Sequence, residues 1–122
     1  MTIDLHHRWI LILCNTYRPG WTDNEYWTPL NHAIGVGYQV NDNIVILGDL
    51  NSDLFIANNN KLKETMMLLN LANIISKPTR IAAHSNTVFD PIIISDTMNY
   101  IYSVVLKIPS EIIDHDASVA FL

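Results

Sequence analysis

The sequence predicts a single domain of the mixed α/β class, and three observations support this prediction. Apolar runs rich in β-branched residues, typical of strands, alternate along the chain with segments of helical periodicity. The length of 122 residues suits one ordinary domain and is too short for two. The apolar fraction of 49% favours a buried core over disorder, and no internal repeat or linker interrupts the pattern. We therefore expect one structural unit over residues 1–122.

The first half of the chain predicts two buried strands with a helix between them. The first strand covers residues 9–15, and the turn-forming Pro and Gly of NTYRPG end it. Thr22 and Glu25 form a T-x-x-E capping box that predicts the start of a short helix. Pro29 would disturb this helix unless it bends, and the glycines of residues 35–37 would end it. The second strand is Ile44–Leu47, whose uniformly apolar sequence indicates burial on both faces.

The second half predicts one more helix and three strands. The helix covers residues 61–71, where Leu62, Met66 and Leu69 share one face. The segment KPTR, residues 77–80, then ends the helical periodicity. The predicted strands are residues 87–95, interrupted by Pro91, then 100–108 and 117–122.

Charge and cysteine usage restrict the classes of function. Lys and Arg total 7 against 12 Asp and Glu, so the net charge of −5 provides no general electrostatic surface for nucleic acid. The single cysteine, Cys14, cannot form an internal disulfide and indicates a reducing, intracellular setting. The apolar run WILILC is far too short to cross a membrane, and we find no targeting segment.

The stretch VILGDLNSDL places polar side chains directly after a buried strand. Ligand sites in sheet proteins gather at such strand ends. An ordinary turn is the competing explanation, because Asp, Asn and Ser bond to nearby backbone groups. An EF-hand calcium loop is excluded, since Leu54 stands where the loop needs Gly and Asn60 where it needs the bidentate Glu.

Functional side chains follow or precede the predicted strands at four places. Together they provide carboxylates that suit a hard cation such as Mg²⁺ and an imidazole that can exchange protons. This combination is what metal-assisted attack on a phosphodiester needs, although each place read alone is also compatible with a simple turn. The four places are Tyr17 with Arg18, Asp49 with Asn51, Asp90, and Asp114 with His115.

Four ordered motifs carry a resemblance to a known family. NTYRPG, VILGDLNSDL, KPTRIAAHSNTVFDPIII and IIDHDASVAFL resemble the C-terminal half of the endonuclease/exonuclease/phosphatase superfamily. The closest likeness is to the apurinic-like endonuclease domain of non-LTR retrotransposons, in which a reverse transcriptase accompanies the endonuclease. The resemblance implies a four-layered α/β sandwich and Mg²⁺-dependent cleavage of DNA.

The resemblance also implies a role for each motif residue. Asp49 would activate or orient the attacking water, and Asn51 would help to position that water and the scissile phosphate. Tyr17 would contact the phosphate, and Arg18 beside it would bind substrate. Asp90 would orient the imidazole of the last motif.

In that last motif, the resemblance places Asp114 at the metal and gives His115 the task of stabilising the transition state. Pro91 directly follows Asp90 and would remove a ladder donor from a strand at that position.

The match covers only the second half of the family's domain. The resemblance therefore implies a partial sandwich whose N-terminal half is missing, together with an Asn and the principal metal-binding Glu. Glu25, Glu64 and Glu111 do not match the motif of that Glu. We expect an apolar sheet face left uncovered, an incomplete Mg²⁺ site and little activity from the chain alone.

Three alternatives remain open. The chain could be a phosphoesterase of the same superfamily acting on a small or lipid phosphate. It could be an interaction module that has kept the fold and lost the chemistry, pairing with a separately encoded N-terminal half. It could also be an unrelated α/β domain in which the polar strand ends are only turns.

Overall fold

A five-stranded sheet forms the centre of the computed structural model, which describes residues 2–5, 9–19, 24–54, 60–82 and 85–122. The strand order is β1-β2-β3-β7-β4, with β2 parallel to β3 and the other neighbours antiparallel. The strands are β1 (Thr2–Leu5), β2 (Trp9–Asn15), β3 (Ile44–Leu47), β4 (Leu71–Asn73) and β7 (Ile92–Ser95). Strands β3 and β7 are almost fully buried, as expected for central strands without apolar/polar alternation.

Two helices in the described part of the chain cover one face of this sheet: α1 (Trp27–Val40), after a 3₁₀ turn at Asn24–Tyr26, and α2 (Lys61–Leu68). Helix α1 packs on β2 and β3, and it buries Trp27, Leu30 and Ile34 at helical spacing. At Gly37 a Cβ would lie 3.4 Å from Ile12 Cγ2, so the glycine lets this helix approach the sheet closely. The mixed α/β class is therefore confirmed.

The helix boundaries differ from the predicted ones. Helix α1 does not end at residues 35–37 but continues to Val40, because its apolar face is held on the sheet and Gly37 favours that contact. Pro29 lies in the first turn, where its missing N–H has no intrahelical acceptor to lose. Thr22 of the predicted capping box lies outside the described residues.

Helix α2 ends at Leu68, earlier than the predicted residue 71. Asn70 takes a left-handed conformation with φ of 53°, and Leu71 turns away to begin β4, where it pairs with β7. Sheet pairing therefore outcompetes the helical pattern in these last residues.

Two hairpins complete the described fold. The first joins β5 (Arg80–Ala82) to β6 (Ser85–Thr87), and the second joins β8 (Tyr102–Leu106) to β9 (Ala117–Phe121). The structure confirms the predicted strands near residues 44–47, 92–95, 102–106 and 117–121. The predicted strand at residues 87–95 divides into the end of β6 and β7, with Pro91 between them.

The sheet face opposite the helices is only partly covered by β9, which contacts β7. An open groove remains, and we call it the apolar groove; Leu11, Leu13, Val45, Leu47 and Ile92 of the sheet line it, with residues 118–122 along one side. Phe121 and Leu122 are 44% and 47% exposed there. The sheet residues Leu11, Val45 and Ile92 are nevertheless buried, so the expected uncovered apolar face is present only in part. In the described residues, no helix has the length and apolar character needed to cross a membrane.

Candidate metal and catalytic site

Asp49 lies just after the central strand β3, at a point where the backbone turns sharply at Gly48. Gly48 has φ of 129°, and a Cβ there would lie 1.7 Å from the carbonyl oxygen of Thr16. Only glycine can therefore allow the end of β3 to pass so close to the end of β2. The result is that the carboxyl group of Asp49 emerges where two parallel strands end together.

Asn51 and Arg18 hold the loop that carries Asp49. The Asn51 backbone N–H donates to Asp49 Oδ1 at 3.0 Å, and φ of 44° at Asn51 closes this tight turn. The Asn51 side-chain amide donates to the Arg18 carbonyl at 2.7 Å, and the Arg18 N–H donates to the Asp49 carbonyl at 2.9 Å. GDLN therefore forms an ordinary turn and also carries candidate functional side chains.

The guanidinium of Arg18 is directed at the protein itself. Nη1 donates to the Asn51 carbonyl at 3.1 Å, and the guanidinium carbon lies 5.0 Å from the ring centre of Trp27. Tyr17 is 63% exposed, and its backbone carbonyl accepts from Tyr26 Oη at 3.4 Å. Neither side chain belongs to the acidic cluster described below, so their expected contacts with substrate stay predictions.

Asp90 and His115 come together from distant parts of the chain. His115 Nδ1 lies 2.6 Å from Asp90 Oδ2, and the two side chains are only 18% and 23% exposed. Pro91 is fully buried and precedes β7 instead of interrupting it, so its missing N–H removes no ladder bond and leaves Asp90 in place. Because a carboxylate can only accept, the imidazole donates from Nδ1 and directs Nε2 away from Asp90.

Asp49, Asp90 and His115 form one cluster. Their potential ligand atoms all lie within 4.8 Å of one another, and all three side chains are partly buried. This cluster could hold a metal ion. One or two carboxylates with waters are what Mg²⁺ takes in proteins, so the oxygens of Asp49 and Asp90 fit that ion, while His115 is already engaged with Asp90.

Asp114 is beside this cluster and does not join it among the described residues. Its Oδ2 accepts from Arg80 Nε at 3.0 Å and lies 3.0 Å from Arg80 Nη2. Its other oxygen lies 3.8 Å from His115 Nε2, and the side chain is 64% exposed. Asp114 is thus outside the group of possible ligands formed by Asp49, Asp90 and His115, and its expected place at the metal stays a prediction.

The electrostatic environment raises the pKa of Asp49 above its ordinary value. Burial is the main cause, and the nearby carboxylate of Asp90 adds to it. The hydrogen bond from the Asn51 backbone and the charges of His115 and Arg80 act in the opposite direction. The partly enclosed surroundings thus make ionisation of Asp49 cost free energy. A carboxylate in this situation is suited to accept a proton or to bind a cation.

Sequence reasoning missed two residues that build the site, Thr79 and Arg80. Thr79 is fully buried between the chain segments of Asp90 and His115, and Arg80 holds Asp114. Both belong to KPTR, a segment that the sequence pattern identifies only as the end of a helix and as part of one family-like motif. The signal was present in that motif, but no periodicity or spacing shows which hydrogen bonds its side chains make.

The sequence matches no model of a known protein family, and a comparison with curated proteins also finds no match. The site geometry and the ordered motifs are therefore the basis of the functional conclusion.

Proposed function

We propose that this chain is the C-terminal portion of a Mg²⁺-dependent phosphodiesterase domain of the endonuclease/exonuclease/phosphatase type, with DNA as its substrate. The observation that carries the proposal is the cluster of Asp49, Asp90 and His115, which come from three separate motifs of the resemblance. Ordinary turns require no such convergence, because each turn satisfies its own backbone locally.

The chemistry follows from the contacts within the cluster. Asp90 holds the imidazole of His115 in one orientation, so that Nε2 would be the atom that exchanges a proton or forms a hydrogen bond with a phosphate oxygen. Asp49, whose pKa is raised by burial, is suited to accept a proton from an attacking water. A bound divalent ion would supply charge neutralisation at the phosphate and a more acidic water.

The remaining motif residues keep supporting roles in this proposal. Asn51 and Arg18 hold the Asp49 loop, and Tyr17, exposed beside it, is free of the core and able to reach a substrate. Asp114 would act indirectly, through its ion pair with Arg80 and its proximity to Nε2 of His115. It would reach a metal ion only if the ion pair with Arg80 broke.

The apolar groove supports the proposed architecture. A four-layered sandwich packs two sheets face to face, so a second sheet would cover the face on which Leu11, Val45 and Leu47 line the groove. This second sheet would also bring the metal-binding Glu that the four motifs do not contain. We therefore propose low activity for the chain by itself, and full activity only together with the N-terminal half of such a domain.

The choice of DNA over a small or lipid phosphate rests on the retrotransposon-like motifs. The net charge of −5 does not by itself attract nucleic acid, so binding would depend on contacts near the cluster and on the metal. A purified chain should nick supercoiled plasmid slowly with Mg²⁺ and leave inositol phosphates intact. Hydrolysis of inositol phosphates without nicking would favour the small-phosphate alternative instead.

Metal binding tests the proposal even if turnover is too slow to detect. Mn²⁺ is suited to carboxylate ligands and can be followed by its paramagnetic resonance signal. Asp49→Asn and Asp90→Asn should each weaken Mn²⁺ binding, whereas Asp96→Asn, at the exposed far end of β7, should not. No binding by the unaltered chain, or equal binding by all variants, would contradict the proposal.

A further inference from the structure

Thr79 is the most completely buried polar residue near the cluster, with 0% of its surface exposed. Its Oγ1 accepts two hydrogen bonds, from the Phe89 N–H at 3.1 Å and from the Asp90 N–H at 3.2 Å. A hydroxyl oxygen has two acceptor sites, so one atom satisfies two consecutive backbone donors. The hydroxyl thereby fixes the backbone from which the Asp90 carboxylate extends.

The backbone of Thr79 binds the other side of the site. Its carbonyl accepts from the Asp116 N–H at 2.6 Å, and its N–H donates to the Thr87 carbonyl at 2.9 Å. The next residue, Arg80, forms an isolated antiparallel bridge with His115. One residue therefore connects the segment of Asp90, the segment of His115 and the β5–β6 hairpin.

We infer that Thr79 is the positioning residue of the cluster: its buried hydroxyl and its carbonyl set the separation of Asp90 and His115. The contact of 2.6 Å between His115 Nδ1 and Asp90 Oδ2 requires both segments to be held closely. Ser118 Oγ also donates to the Asp90 carbonyl at 2.6 Å, but that bond restrains a different backbone atom and leaves the Asp90 N–H to Thr79. The expected effect on metal binding rests on the proposed function, whereas the effect on the His115–Asp90 contact does not.

The decisive variants are Thr79→Val and Thr79→Ser. Val has nearly the same shape but offers no acceptor to the two N–H groups, whereas Ser retains the oxygen. Thr87→Val is the matched control, because it removes a hydroxyl from the same hairpin that reaches only the Arg80 carbonyl, at 3.5 Å. All three variants should be tested as the full chain.

The first readout is the NMR signal of the His115 Nδ1 proton, which a bond to Asp90 protects from exchange. We expect Thr79→Val to lose this signal, and Thr79→Ser and Thr87→Val to keep it. A Thr79→Val protein with an unchanged signal and only a lower melting temperature would overturn the inference, since that result describes a purely structural residue.

The second readout is Mn²⁺ affinity, which should fall about 10–100-fold in Thr79→Val, as is typical when a group that orients a ligand is lost, and recover in Thr79→Ser. If the unaltered chain shows the His115 signal but binds no Mn²⁺, the proposed function fails while the inference is still judged by the first readout. If Thr79→Val does not fold, amide exchange in the unaltered chain decides. Slow exchange at Phe89 and Asp90 supports the inference, and exchange at the rate of exposed amides overturns it.

Discussion

Asp49 shows how a single carboxyl group links stability to function. Burial and the neighbouring carboxylate of Asp90 raise its pKa, so the folded state favours the protonated form more than the unfolded state does. As the pH rises through the ordinary range of an aspartate, about 3.9, the unfolded chain releases its proton first. Asp49 therefore lowers stability as the pH rises through its folded-state pKa, and this cost persists at neutral pH.

Replacing Asp49 with Asn should raise the melting temperature at pH 7. The amide oxygen can still accept from the Asn51 N–H, while the charge that burial penalises is removed. The advantage should vanish well below the ordinary pKa of an aspartate, where Asp49 is protonated in both states. Thermal unfolding followed by circular dichroism over this pH range measures the effect, with Asp96→Asn as the exposed control. A variant less stable than the unaltered chain at pH 7 would show that the pKa of Asp49 is not raised.

At the scale of elements, the connection from β3 to α2 is held by Asn60, which is 8% exposed. Its Oδ1 accepts from the Lys63 N–H at 3.2 Å and so caps α2, and it also lies 3.2 Å from Ser52 Oγ. Its amide donates to the Asp53 carbonyl at 2.6 Å. One side chain thus joins the start of helix α2 to Ser52 and Asp53 of the loop that follows β3.

Asn60→Ala should lower the free energy of unfolding by about 2 kcal/mol, the upper part of the range for a lost N-cap, because a buried donor and acceptor also lose their partners. Urea denaturation measures this change. Asn60→Asp should lose less, since a carboxylate still caps the helix but cannot donate to Asp53. The exposed Asn99→Ala serves as the control and should be neutral. Equal losses for the Ala and Asp variants would mean that capping contributes little.

At the scale of the whole molecule, helices cover one face of the central sheet, and an open apolar groove runs beside β9 on the other face. Helices α1 and α2 cover the first face, while in the apolar groove Leu11, Val45 and Ile92 are buried and the most exposed side chains are Phe121 and Leu122. A protein with 16% charged residues has few groups with which to compensate for such a face. The exposed area should therefore have a measurable effect in solution.

The dye ANS, which fluoresces on apolar surfaces, should bind the folded chain. Phe121→Lys should reduce the fluorescence, because it places a charge at the edge of the groove on a side chain that is 44% exposed. Met67→Lys, 81% exposed on α2 and outside the groove, should have little effect. Equal reductions from the two substitutions would indicate general binding to the surface and not to the groove.

The sequence by itself determined the mixed α/β class, the central strands, the existence of both helices and the strand ends that carry Asp49, Asp90 and His115. These features depend on the local apolar pattern and on single residues such as Gly48, because a glycine in the sequence already indicates that the backbone can turn there. The short strands β1, β4 and β5 could not be predicted in this way, because their residues become strands only by pairing with a partner.

Only the tertiary structure decided which side chains meet. Both helices end several residues away from the predicted positions. Packing on the sheet outweighs local propensity at Val40, and pairing with β7 outweighs it at Leu71. His115 lies against Asp90 and close to Asp49, while its neighbour Asp114 forms an ion pair with Arg80. The two residues are adjacent in one motif, so the sequence did not distinguish their contacts. The physical reason is that contacts between residues far apart in sequence depend on the path of the whole chain, and no local pattern contains that path.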